Sequence, residues 1–249
     1  MTQSILYLGD TALRGAASYL AGVIHHHGWA FDYVPSDRPA ESALVERPRA
    51  LFVLSDYPAA QLAPALQEAI CTQVADGSGL LMLGGWESYH GLGGNWENTP
   101  VARVLPVNIG SEDDRLNCDQ PLLVRQAGEH PTVADLPWRT RTPGIGGLNR
   151  ITPRPDAQVV LEARRFRTHE EAGGFVFEPA ESYPLLVVGR HGRGRTAALA
   201  TDAAPHWVGG LVDWGAGRVA AQAPGAEAVE VGDLYARFFC QLMAWTASL

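Results

Sequence analysis

Four short apolar-rich runs punctuate the first third of the chain: Ile5-Leu6-Tyr7-Leu8, Phe31-Asp32-Tyr33-Val34, Ala50-Leu51-Phe52-Val53-Leu54 and Leu80-Leu81-Met82-Leu83. Three of them stop at turn-forming residues, namely Gly9-Asp10, Ser55-Asp56 and Gly84-Gly85. Such runs read as buried strands. Between the first two, residues 11–27 have helical composition, and Gly28 suits a C-terminal cap. After the third, Leu62, Leu66, Ile70 and Val74 lie four apart, which predicts one apolar helix stripe. Pro58 suits the first turn of that helix. Strands alternating with helices predict a parallel sheet covered on both faces.

The second half changes character. Residues 121–125, 158–163, 174–177, 185–188 and 196–200 are short strand candidates, and Gly192-Arg193-Gly194 reads as a hairpin connection. Residues 220–228 read as a loop, and Leu234, Phe238, Leu242 and Trp245 mark an amphipathic closing helix. No linker separates the halves. The expectation is one α/β domain over residues 1–249: a mostly parallel sheet with helices on both faces, plus an added β-rich region in the second half.

Composition narrows the function class. Charged residues are 18% and hydrophobic ones 46% of 249, the balance of a folded chain and not of a disordered or collagen-like one. A net charge of −8 gives no positive field to steer phosphate, which argues against nucleic acid and anionic membranes. Cys71, Cys118 and Cys240 are odd in number and widely spaced, so they form neither a disulfide framework nor a Cys-x-x-Cys metal pair. The start, Met1-Thr2-Gln3-Ser4, lacks the basic opening and apolar run of a secretory signal. No apolar stretch reaches the roughly 18–20 residues that span a bilayer. The reading is a cytoplasmic protein with a small-molecule ligand, compatible with a homo-oligomer.

No cofactor or metal is expected. Gly144-Ile145-Gly146-Gly147 and Gly192-Arg193-Gly194 match neither a P-loop nor a dinucleotide fingerprint. His25-His26-His27 sit about 100° apart on a helix and cannot converge on one ion. Cys71 and Cys240 fall on or beside apolar stripes. Cys118 falls in a polar stretch with no activating neighbour.

In parallel sheets ligands bind beyond the carboxyl ends of the strands. Asp10, Asp56 and Leu83-Gly84-Gly85-Trp86-Glu87-Ser88-Tyr89-His90-Gly91 fall there. Paired glycines after a strand allow a tight turn and close approach of a ligand to backbone N–H groups, or simply close packing. A nucleophile at such a turn needs a thiol or hydroxyl. Trp86 supplies neither, and Ser88 lacks the flanking glycines of Gly-x-Ser-x-Gly. Thr201-Asp202-Ala203-Ala204-Pro205-His206-Trp207 follows another strand, and His206 near Asp202 is a candidate base or proton shuttle, or a loop cap. Glu112-Asp113-Asp114-Arg115 reads as a solvated loop with a local ion pair; Arg115 could instead reach a substrate carboxylate.

These segments, with Asn98-Thr99-Pro100, Leu105-Pro106-Val107, His130-Pro131 and residues 185–195, resemble the putative glutamine amidotransferase family of the class I amidotransferase-like superfamily. The resemblance covers nearly the whole chain. It implies a flavodoxin-like sheet with an added β region and a relationship to trehalose-utilisation-type proteins. Class I amidotransferases carry Gly-x-Cys-x-Gly at the elbow and His-x-Glu downstream. Here Trp86 stands at the cysteine position, and His206 is followed by Trp207-Val208.

The resemblance therefore implies the fold and the place of the site, without a thioester on glutamine. The expected pocket gathers Asp10, Asp56, Trp86, Glu87, Arg115, Asp202 and His206. Glu87 and His206 handle protons, Gly85 and Trp86 N–H groups face a polarised oxygen, and Trp86 and Trp207 form walls. One alternative is a non-catalytic metabolite-binding or assembly protein. Another is an amidase using Cys118, which needs that thiol beside His206.

Overall fold

The computed structural model describes residues 4–249, so the opening Met1-Thr2-Gln3 lies outside it. The first half alternates strands and helices in the expected order: β1 (Ser4–Gly9), α1 (Ala17–His26), β2 (Ala30–Val34), α2 (Ser42–Val45), β3 (Leu51–Ser55), α3 (Pro64–Ala75) and β4 (Gly79–Leu83). Then come α4 (Pro100–Val104), β5 (Val107–Asn108), β6 (Arg115–Gln126), β7 (Gly144–Asn149), β8 (Thr152–Pro153), β9 (Gln158–Glu171), β10 (Gly174–His191) and β11 (Gly194–Leu199). The chain closes with α5 (Pro205–Val208), β12 (Arg218–Ala221), β13 (Val229–Gly232) and α6 (Asp233–Thr246).

One nine-stranded mixed sheet runs through both halves in the order β2-β1-β3-β4-β11-β10-β9-β6-β7. Strands β2, β1, β3, β4 and β11 are mutually parallel, and the rest pair antiparallel. Every residue of β3 and β4 is buried, which requires cover on both faces. Two helix groups supply it: α1 with α6, and α3 with α2 and α4. The parallel strands place the carboxyl ends of β1, β3, β4 and β11 side by side.

Several boundaries differ from the sequence reading for local reasons. The first helix begins at Ala17, not at residue 11, because Asp10 takes a left-handed backbone angle and the chain turns before it can wind. Pro58 precedes a single 3-10 turn, Ala59–Gln61, and α3 starts at Pro64, so Leu62 is buried ahead of the helix. Residues 174–177 and 185–188 are two ends of one 18-residue strand, β10, whose register shifts between Pro179 and Ser182. The stretch 220–228 is the neck and loop of a small β12–β13 hairpin. Cys118 lies within strand β6 and not in a loop. On α6 the buried face is Tyr235, Phe238, Phe239, Leu242 and Met243, wider than a strict four-residue stripe. Strand β7 was hidden by its glycines: a Cβ at Gly147 would sit 2.6 Å from the Trp207 indole nitrogen, so glycine here makes room for a ring. Among the described residues no helix is long and apolar enough to cross a membrane.

Candidate functional site

The site begins where β1 runs out. Asp10 follows Gly9 with φ +48°, a conformation that a short polar side chain tolerates. Its backbone N–H donates to Ser55 O at 2.9 Å, Tyr33 Oη donates to its carbonyl at 2.7 Å, and Tyr7 Oη donates to its Oδ2 at 2.9 Å. Asp56 sits likewise at the end of β3 with φ +49°. Ser88 Oγ accepts its N–H at 3.0 Å, and its Oδ1 accepts the Glu87 N–H at 2.6 Å.

Beyond β4, the Gly84-Gly85 turn is clamped from several sides. Gly84 N–H donates to Thr201 O, and Gly85 N–H donates to Asn149 Oδ1 at 2.9 Å. Asn149 Nδ2 donates to Gly85 O at 3.1 Å and to Asp114 Oδ1 at 2.7 Å. Asp114 also accepts the His90 and Gly91 N–H groups. A Cβ at Gly85 would collide with the Asp56 carboxylate, and one at Gly84 with Ala200 O. These glycines therefore let protein groups, Asp56 above all, close onto the turn.

The fourth contribution comes after β11. Asp202 is 1% exposed, and its Oδ1 accepts the Ala203 and Ala204 N–H groups at 2.5 and 3.0 Å. Four residues on, in the single turn of α5, His206 brings Nε2 to 2.9 Å from Asp202 Oδ2. One ligand-capable atom from each of Asp56, Asp202 and His206 lies within 4.8 Å of the others.

Charge is concentrated in this corner. Burial, and then the Asp202 and Asp56 charges, push the Asp10 carboxyl well above the ordinary range. Burial, followed by Asp202, pushes Asp56 up to about 7. The His206 imidazole is raised, chiefly by its contact with Asp202. Tyr7 is raised by burial and by Asp10, so it stays a phenol donor.

The structure brings Asp10, Asp56, Asp202 and His206 together, with Gly85 and the Glu87 backbone at their border. The other expected residues are differently engaged. Trp86 is 47% exposed, with the Arg115 guanidinium 4.5 Å above its ring. Arg115 is also held by a two-point contact with Asp113, at 2.9 and 2.7 Å. Trp207 is buried against Gly147 and donates from Nε1 to Asn117 Oδ1 at 2.7 Å, so its ring packs in the core instead of walling a pocket. The Gly85 N–H is committed to Asn149 and is not free for a ligand oxygen. Cys71, Cys118 and Cys240 lie in α3, β6 and α6, and among the described residues no cysteine joins the Asp56–Asp202–His206 group.

Four contributors escaped the sequence reading. Tyr7 and Tyr33 carried a usable signal, since a phenol in a buried strand needs a partner for its hydroxyl. Asp114 was read as solvated but is buried under two backbone N–H donors and an amide. Asn149 closes a glycine-rich strand and had no local signal at all.

A mixed sheet flanked by helices, with acids gathered at the carboxyl edge of its parallel strands, defines an α/β protein. The profile of the family described as "putative glutamine amidotransferase" matches residues 48–219, and the chain belongs to that family. Two solved structures share its fold across nearly their full lengths. The cytoplasmic protein STM3548 from Salmonella typhimurium is 23% identical with a TM-score of 0.72, over 97% of this chain and 98% of that one. The cytoplasmic protein STM1381 from Salmonella typhimurium LT2 is 23% identical with a TM-score of 0.73, over 98% and 99%. No curated protein matches the sequence.

Proposed function

We propose that this chain is a small-molecule enzyme that works by acid/base chemistry at the carboxyl edge of the sheet, without glutaminase activity. The observation that carries this reading is the hydrogen bond from the Glu87 N–H to Asp56 Oδ1 at 2.6 Å. In an elbow-type acyl transferase, the N–H of the residue after the nucleophile binds the oxyanion. Here the residue before Glu87 is Trp86, and that N–H is occupied by the protein's own carboxylate. Both the nucleophile and the oxyanion donor of an acyl-enzyme route are thus replaced.

What takes their place is a corner of Asp56, Asp202 and His206, with Asp10 behind and the Glu87 side chain half-buried beside it. Substrate atoms arriving there meet carboxyl and imidazole groups, which suit proton transfer in isomerisation, elimination, cyclisation or hydrolysis. The β2-β1-β3-β4 order supports reading the parallel part as flavodoxin-like, with the antiparallel strands as an added β region of the same single domain.

The test has two arms. Purified protein incubated with glutamine is expected to release ammonia no faster than buffer; release that saturates with glutamine would overturn the reading. In a turnover screen over sugars, esters and lactones, any activity found is expected to fall about 10²–10⁴-fold in Glu87→Gln or His206→Asn. Tight binding of a metabolite with no conversion would favour a non-catalytic binding protein instead.

A further inference from the structure

The corner gathers more carboxylate than its one imidazole can offset. Asp202 Oδ2 is fully buried. A buried carboxylate oxygen in that state is costly unless something positive meets it. His206 Nε2 meets it at the ion-pair distance of 2.9 Å, and one ligand-capable atom of Asp56 lies within 4.8 Å of one from each of those two residues. Asp10 adds a third carboxylate, itself buried, behind them. Among the described residues, the one basic side chain in this cluster is the His206 imidazole.

We infer that Asp56, Asp202 and His206 form a binding site for one divalent first-row metal ion, of the manganese or zinc type. The spacing fits an octahedral arrangement: two ligand atoms each ~2.1 Å from an ion and at right angles to one another are ~3.0 Å apart. That is the separation of Asp202 Oδ2 and His206 Nε2. Two carboxylates and one imidazole are a mixed hard and borderline donor set, which suits such ions better than calcium, an all-oxygen cation. The outer contacts are those a metal site needs. Asp202 Oδ1 is fixed by the Ala203 and Ala204 N–H groups, and Asp56 Oδ1 by the Glu87 N–H. Tyr235 Oη holds the Ala203 carbonyl at 2.6 Å, which fixes the loop that carries the ligands. Three protein ligands leave coordination positions open on the solvent side, where His206 is half-exposed. Ion binding stands on the geometry alone; its use in turnover rests on the proposed acid/base reading, with His206 then a ligand and proton transfer left to Glu87 and Asp10.

The experiment is isothermal titration of chelator-stripped protein with Mn²⁺ and, separately, Zn²⁺, alongside thermal unfolding. Exposed histidines such as His25 and His26 take such ions weakly one at a time, so the titration uses the triple alanine variant at positions 25–27 as the parent. One ion per chain is expected, with a raised melting temperature. Asp202→Asn and His206→Ala are each expected to weaken binding at least tenfold. Asp202→Asn keeps the side chain's shape, and its melting temperature without metal reports whether it still folds. No heat and no thermal shift with either ion in the parent overturns the inference, as does one-to-one binding that survives both substitutions. Metal binding with no turnover of any compound would leave this site standing and remove the catalytic reading, so the two fail separately.

Discussion

At the scale of single residues, the proposed reading without an acyl-enzyme rests on two positions together. In that proposal Trp86 takes the place of a sulfur nucleophile, and Asp56 occupies the Glu87 N–H. The cysteines that remain are poor nucleophiles. Burial, with Glu68 adding to it, pushes the Cys71 thiol up to about 11. Burial raises Cys118 and Cys240 as well. A raised thiol stays protonated, and therefore unreactive, until pH climbs through its shifted value. Iodoacetamide at pH 7 is accordingly expected to label the native chain more slowly than a free cysteine peptide, with the rate still rising above pH 9. Mass spectrometry of the labelled positions checks this. A cysteine that labels rapidly at pH 6–7 would show an activated thiol and reopen covalent catalysis.

At the scale of elements, the parallel strands and their helices were legible because each is a local pattern. A run such as Leu80-Leu81-Met82-Leu83 is buried on both faces wherever it pairs, and Gly28 and Gly85 punctuate without help from distant residues. The antiparallel half was harder to read. In strand β7, position 147 is glycine because Trp207, sixty residues away, needs the space. The clamp of Asn149 and Asp114 on the Gly85 turn exists only after β7 and β6 have paired. The site was readable as positions, at Asp10, Asp56, Asp202 and His206, but not as a geometry. Arg49 shows the same dependence on assembly. Its buried guanidinium contacts Ser4 Oγ of β1, Asp32 Oδ2 of β2 and the Leu44 carbonyl of α2, just ahead of β3. Replacing it by Met removes three ties between elements and leaves a carbonyl without a donor, while Asp32 regains water. The expected cost is about 2–4 kcal/mol, centred lower than the ~3–5 kcal/mol for breaking a fully buried pair. Urea unfolding of Arg49→Met against the parent measures it, and a loss under about 0.5 kcal/mol would show that the ties are not structural.

At the scale of the molecule, stability and exposure are unevenly distributed along one continuous sheet. The core layer under α6 stacks aromatics: Trp138 lies 4.3 Å from Trp214 and 5.3 Å from Phe238, centroid to centroid. At the other extreme, the far end of the β9–β10 ribbon pairs only with itself, and Phe175 and Phe177 there are 72% and 64% exposed. A ribbon of two strands adds little to the stability of the whole, since it buries no face against a third element. The two kinds of phenylalanine should therefore behave oppositely. Phe238→Ala opens a cavity in the packed layer and is expected to cost about 3–5 kcal/mol. In a chain of this length that lowers the melting temperature by roughly 6–20 °C, at about 2–4 °C per kcal/mol. The double variant Phe175→Ser, Phe177→Ser removes two exposed rings and is expected to stay within about 0.5 kcal/mol of the parent, a shift of at most about 2 °C. Paired thermal scans at one protein concentration decide the matter. A large drop in the double variant would mean that these rings are covered in solution, and repeating the scan at several concentrations would show whether a second copy of the chain covers them.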